Sequence, residues 1–217
     1  MNNFRIRALL IAGFPLLLGS CDIVGIRGNG HIVTDQRSIS DFTEVKASGG
    51  MIIEWRNGPP SLAITTDENL VPYIESKISG STLRLRERQH IRPSEHVRVI
   101  LSSAQRKGAD LRGAVDLIAH NLNGPKFYVR STGGSDITLD GTIDELLADM
   151  TGAGDLRAKS LQVKTAEISS TGAASVTITV SEVLRVSITG AGDLNYYGNP
   201  PTIERHVVGA GSINHRE

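Results

Sequence analysis

The sequence predicts an all-β chain whose C-terminal half is a single-stranded, right-handed parallel β-helix, a solenoid with coils of about 19 residues. Three observations carry this prediction. A five-residue pattern recurs at a nearly constant interval, starting at Gly113, Gly133, Gly152, Gly172, Gly190 and Gly209. Its fifth position is always aliphatic (Leu117, Ile137, Leu156, Val176, Leu194, Ile213). Two residues later comes a second, mostly apolar position (Ala119, Leu139, Ala158, Ile178, Tyr196, His215), which is the alternation of a half-buried strand. The first three positions are Gly, Ala or Ser except at Val115, so the chain turns a tight corner once per copy. No coil could bury its aliphatic column alone; stacking on the next, at about 4.8 Å, does so. The competing arrangement is an antiparallel sandwich, which gives no reason for one corner to recur at a fixed interval. The right hand follows from the usual sense of parallel crossovers.

In chain order, Arg5 and Arg7 precede an apolar run from Ala8 to Leu18, the layout of a secretory signal. The run is shorter than the roughly 20 residues a spanning helix needs. It ends in Leu18-Gly19-Ser20-Cys21, which resembles a bacterial lipobox. Residues 1–20 therefore read as a lipoprotein signal peptide and Cys21, the only cysteine, as the lipidated residue. Several acyl chains on one residue make a stable anchor. Residues 21–110 are strand-rich but irregular and are expected to close one end of the solenoid. Phe42–Trp55 alternates around a Gly49-Gly50 corner, Thr82–Arg88 alternates again, and Val97–Leu101 is a short apolar run. Asp67–Lys77 is the one expected helix, with Leu70, Tyr73, Ile74 and Ile78 on one face and Pro72 confined to its first turn. Residues 111–217 hold the regular repeats, and no Pro/Ser-rich linker separates the two parts.

The stretches Ser40–Gly50 and Asp67–Glu75, together with Thr189–Pro201 and Ser212–Asn214, resemble the head GIN domain family of autotransporter adhesins. The resemblance covers nearly all of the chain after Cys21. It implies a bacterial envelope protein, often a lipoprotein, with a β-helical fold. The family offers no catalytic or binding residues to carry over.

Composition narrows the functions. The chain has 23 basic and 23 acidic side chains, or 21 against 23 once Arg5 and Arg7 leave with residues 1–20. That balance excludes a general nucleic-acid binder, and nine aromatics are too few for a platform that stacks bases. One cysteine excludes a disulfide framework. The fourth position of the repeat holds Asp116, Asp136, Asp155, Ser175, Asp193 and Ser212, whose side chains can bond backbone amides and cap the corner. One Asp per coil supplies too few oxygens for calcium, which takes six to eight. The six histidines fit no zinc motif, and only His206 and His215 could meet across the last coil. No cofactor or metal is expected.

Stacked Asp136 and Asp155 offer one alternative, a polysaccharide-active β-helix enzyme working through paired carboxylates; against it, no Arg or Lys recurs beside the acids. Arg84, Arg86 and Arg88 alternate along one strand. They blunt a sheet edge and offer a patch to an anionic partner. The expected function is a lipid-anchored, non-catalytic binding, adhesion or structural module of the cell envelope. Cys21 would hold it on the outer membrane or the periplasmic side of the inner membrane, in reach of envelope polysaccharide or a surface protein.

Overall fold

The structure, a computed structural model, describes residues 25–217; the expected signal peptide, residues 1–20, and the expected lipidation site, Cys21, lie outside the described residues. The strands are β1 (Ile26–Arg27), β2 (Ile32–Arg37), β3 (Glu44–Asn57), β4 (Ser61–Asp67), β5 (Ile74–Ser79), β6 (Thr82–Glu87), β7 (Ile91–Arg92) and β8 (Val97–Ser103). They continue with β9 (Gly108–Gly133), β10 (Ile137–Gly152), β11 (Asp155–Gly172), β12 (Ser175–Gly190), β13 (Asp193–Tyr197), β14 (Thr202–Gly209) and β15 (Ser212–His215). Thirteen of these form one large mixed sheet, and β1 pairs with β7 apart from it. The fold is all-β.

The repeat sets the pairing. Leu117, Ile137, Leu156, Val176, Leu194 and Ile213 lie side by side in successive parallel registers, so the chain returns to the same place and direction once per repeat. All but Ile213 are buried. Ala119, Leu139, Ala158, Ile178 and Tyr196 line the interior beside them, while His215 is exposed and stacks on the Tyr196 ring, with centroids 4.9 Å apart. The corner glycines form a column of their own, and it begins earlier than the repeat does: Gly49 of β3 pairs with Gly113. Each takes a positive φ, between 94° and 129°. At Gly152 a Cβ would stand 2.1 Å from the Gly133 carbonyl oxygen, so the corner admits only glycine. The next amide closes the corner, Ala153 N–H donating to Gly133 O at 3.0 Å.

Residues before β9 break the parallel pattern. β3 pairs parallel with β6, β8 and β9, but β4 runs antiparallel to β8 and to β2, and β5 antiparallel to β6. The largest side chains cluster beneath them. Phe42 stacks on Trp55 (5.9 Å), Trp55 meets Phe127 (6.2 Å), and the indole N–H finds Ser103 Oγ at 2.9 Å. The expected helix over Asp67–Lys77 is corrected to a short 3₁₀ helix, Glu68–Tyr73. Pro72 sits near its end rather than in a first turn. Ile74–Lys77 belongs instead to β5, where pairing with β6 satisfies the backbone and the β-branched residues fit.

Candidate functional site

The corner column is the first candidate. Asp116 Oδ1 accepts the amide of Asp136 (3.0 Å), Asp136 Oδ1 that of Asp155 (3.3 Å), and Asp193 Oδ1 both the amide and the hydroxyl of Ser212 (3.1 and 2.6 Å). These carboxylates therefore tie one repeat to the next rather than closing their own turn. One basic residue stands beside the acids. Arg157, two residues beyond Asp155 on the same face of β11, donates to Asp136 at 3.0 Å and Asp155 at 2.8 Å. Its guanidinium pKa rises, first through the hydrogen bond to Asp136 and then through both charges. Ser175 is exposed within the same column. A cavity of about 880 Å³ opens over this corner, between Gly49, Gly50 and the 87–96 segment. Three of its carboxylates are already engaged: Glu87 Oε1 accepts the Gly50 amide at 2.7 Å, and Asp116 and Asp136 hold the bonds above, while Glu95 also lines it.

The second candidate is the outward face of the sheet at β5, β6, β3 and the start of β9. Arg84 and Arg86 project from β6, and Arg88 follows just past its end. Arg86 and Arg88 converge on Glu75 of β5, at 2.8 and 3.1 Å. The Arg86 hydrogen bond is the main reason Glu75 lies below the usual carboxylate range; partial burial opposes it and Arg88 assists. Arg84 has no carboxylate partner among the described residues. Directly opposite it stand Lys77 on one side and Lys46 on the other. Beyond Lys46 in the same row lies Asp110, a buried carboxylate 3.6 Å from Lys46 and 3.5 Å from Arg112.

A cavity of about 260 Å³ opens over Lys46, Arg84, Arg86 and Arg112. It adjoins one of about 440 Å³ at Lys46 and Asp110, which in turn adjoins one of about 580 Å³ at Lys126 and Tyr128. The Tyr128 ring lies against Gly108, where a Cβ would come within 2.2 Å of it. Burial, followed by the neighbouring Glu44 carboxylate, pushes the Tyr128 hydroxyl up to about 12.

A family model described as "Putative auto-transporter adhesin, head GIN domain" matches residues 41–200. The chain belongs to this family. Solved structures extend the head GIN likeness to the fold. A "putative adhesin" from Bacteroides fragilis is 20% identical, with a TM-score of 0.72 over 88% of this chain and 100% of that one. A "putative lipid binding protein" from Parabacteroides distasonis is 22% identical, with a TM-score of 0.54 over 89% and 100% of the two chains. A "putative adhesin" from Parabacteroides merdae is 20% identical, with a TM-score of 0.53 over 89% and 99%. No curated protein matches the sequence.

Two further features of this head GIN chain escape sequence reading. Arg106, 7% exposed, donates to the carbonyls of Trp55 (3.1 Å), His120 (2.7 Å) and Asn121 (2.7 Å), closing an end of strand ladder from inside. Burial lowers its pKa. Asp140 accepts the Asn121 amide at 2.6 Å and also contacts His120 Nδ1. Nothing in Gln105-Arg106-Lys107 separates this arginine from a surface charge. Among the described residues no group of three metal-ligating side chains occurs, and His215 Nε2 bonds Gly198 O at 2.9 Å. No helix among the described residues is long and apolar enough to cross a membrane.

Proposed function

We propose that the chain is a lipid-anchored, non-catalytic binding module of the bacterial cell envelope. In this reading its strands wind as a right-handed β-solenoid and Cys21 carries the anchor. Membership of the head GIN family supports an adhesive, surface-associated role. The parallel registers, renewed once per repeat, support the solenoid. The observation that carries the binding role is the exposed row of Lys77, Arg84 and Lys46, in which Lys77 and Arg84 have no ion-pair partner among the described residues and Lys46 shares Asp110 with Arg112. Such a row presents charge outward, whereas the corner carboxylates are used internally. The enzymatic alternative draws no support from the corner: Arg157 occupies the space between Asp136 and Asp155 that a glycosidic oxygen would need.

Two measurements test this reading. Labelled palmitate should enter the full-length chain and be lost in Cys21→Ser. The purified chain should pellet saturably with washed bacterial envelopes. Absence of pelleting would overturn the binding role, and unchanged labelling of Cys21→Ser would overturn the anchor.

A further inference from the structure

Like charges placed directly opposite one another in neighbouring strands are destabilising. Here three occur consecutively: Lys77 on β5 faces Arg84 on β6, which faces Lys46 on β3, at about 4.8 Å per strand. All three are exposed, and neither Lys77 nor Arg84 has an ion-pair partner among the described residues. Arg112 adds a fourth cation beside them. The carboxylates at hand offset the group only in part, since Lys46 and Arg112 share the single charge of Asp110. Glu75 is shared by Arg86 and Arg88, Glu44 accepts the Thr82 hydroxyl at 3.0 Å, and Asp110 is buried behind Lys46 and Arg112. An anion from outside would relieve this repulsion.

We infer that Lys77, Arg84, Lys46 and Arg112 form the entry subsite for a linear acidic polysaccharide, whose carboxylate seats over Arg84 while the chain continues past Tyr128. The inference rests on the binding role proposed above and names its ligand class. Three cations lie one per strand on β5, β6 and β3, and Arg112 of β9 stands two residues along from Asp110, which ends the row, so the array matches a polymer with charges repeating along its length rather than an isolated anion. Hollows in the surface also adjoin the exposed row. Three adjoining cavities lead from Arg84 to Tyr128, giving room for a chain, whereas a bilayer surface could touch only projecting side chains. Tyr128 supplies an aromatic edge to that path, a group with an apolar body and a polar tip suited to a sugar ring.

The test uses the full chain in neutral detergent and a fluorescent oligogalacturonate, with maltooctaose, inorganic phosphate and phosphatidylglycerol vesicles as comparisons. The oligogalacturonate should bind saturably and weaken with salt. Arg84→Gln and Lys77→Gln should each weaken it about tenfold, the loss of one charge-assisted hydrogen bond. Because each variant relieves repulsion, its Tm should equal or exceed that of the parent, a result that a merely structural role would not give. Arg185→Gln, whose side chain pairs with Glu204 at the far end of the sheet, should bind as the parent does.

Undiminished affinity in both row variants would overturn the site, as would equal binding of maltooctaose. Competition by inorganic phosphate at the concentration of the oligomer would reduce it to an isolated anion hole. Capture by the vesicles without oligogalacturonate binding would make the row a membrane contact. If envelopes still pellet the parent chain while oligogalacturonate fails to bind, this inference falls and the binding role stands; if the parent pellets with nothing, the binding role itself falls.

Discussion

Asp67 shows how one buried charge can hold separate segments together. It is wholly buried, and its oxygens accept the Gly30 amide (2.7 Å), the Ser94 amide (2.9 Å) and the Ser94 hydroxyl (2.6 Å). It thereby fixes the 28–31 and 90–96 segments against the end of β4. Burial alone would raise its pKa, but the Ser94 hydroxyl and the two amides outweigh it and the pKa is lowered. A carboxyl depressed in the folded state adds stability above its unfolded pKa, near 3.9, and that stability is lost as pH falls through the folded value. Asp67→Asn places an amide where three donors converge. Chemical denaturation at pH 7 should register a loss of about 1–3 kcal/mol, and stability between pH 5 and 3 should fall less steeply than in the parent. Equal stability at pH 7 would show that Asp67 holds nothing. None of this was legible in the sequence, where Asp67 reads as a helix start; its donors, Gly30 and Ser94, lie far from it along the chain in opposite directions.

At the scale of the element, the corner is what the sequence displayed best. Glycine and aliphatic columns at a fixed interval translate directly into parallel register, because each unit meets the same residues in the next. What stayed hidden has no periodic signature. Gly49 joins the glycine column at an interval several times longer than the repeat, because β4 to β8 are inserted between β3 and β9. The alternation of Arg84, Arg86 and Arg88 was visible, but Lys46 comes from β3, which two strands and a 3₁₀ helix separate from β6 in the chain. Arg106 likewise gains its meaning only from the carbonyls the fold brings to it. The corner makes a sharp prediction. Gly152→Ala must place a Cβ 2.1 Å from Gly133 O in a conformation reserved for glycine, φ 125°. Backbone strain alone costs about 1–3 kcal/mol there. Gly80, at the tip of the β5–β6 hairpin, also has a positive φ (62°) but no atom within 4 Å of a Cβ, so Gly80→Ala should cost only the left-handed backbone penalty, about 1–2 kcal/mol. Urea titration of both variants would check the order; equal losses would mean that the contact between corners contributes nothing.

For the whole molecule, stability should vary along the stack. Units that touch only their neighbours have stabilities that add roughly as unit and interface terms, so position in the stack determines local protection. The two ends differ. Before β9 the chain seals the core with antiparallel β4, β8 and β2 and the Phe42–Trp55–Phe127 cluster, anchored inside by Arg106. At the other end β14 pairs with β12 and β15 with β13, and neither has a second neighbour among the described strands. Nearly all of β14 is exposed, Val208 to 52%. By contrast, β10 and β11 each lie between two other strands, and their Leu146, Leu156 and Ala166 are wholly buried. Opening β14 and β15 exposes one interface, whereas opening β10 or β11 breaks two. Hydrogen exchange followed by mass spectrometry should therefore find the slowest amides in β9 to β12 and the fastest strand amides in β14 and β15. Leu156→Ala should cost about 2–5 kcal/mol and speed exchange through the middle of the stack. Uniform protection from β9 to β15 would mean instead that the stack opens as one unit, with its open edge covered by a partner in solution.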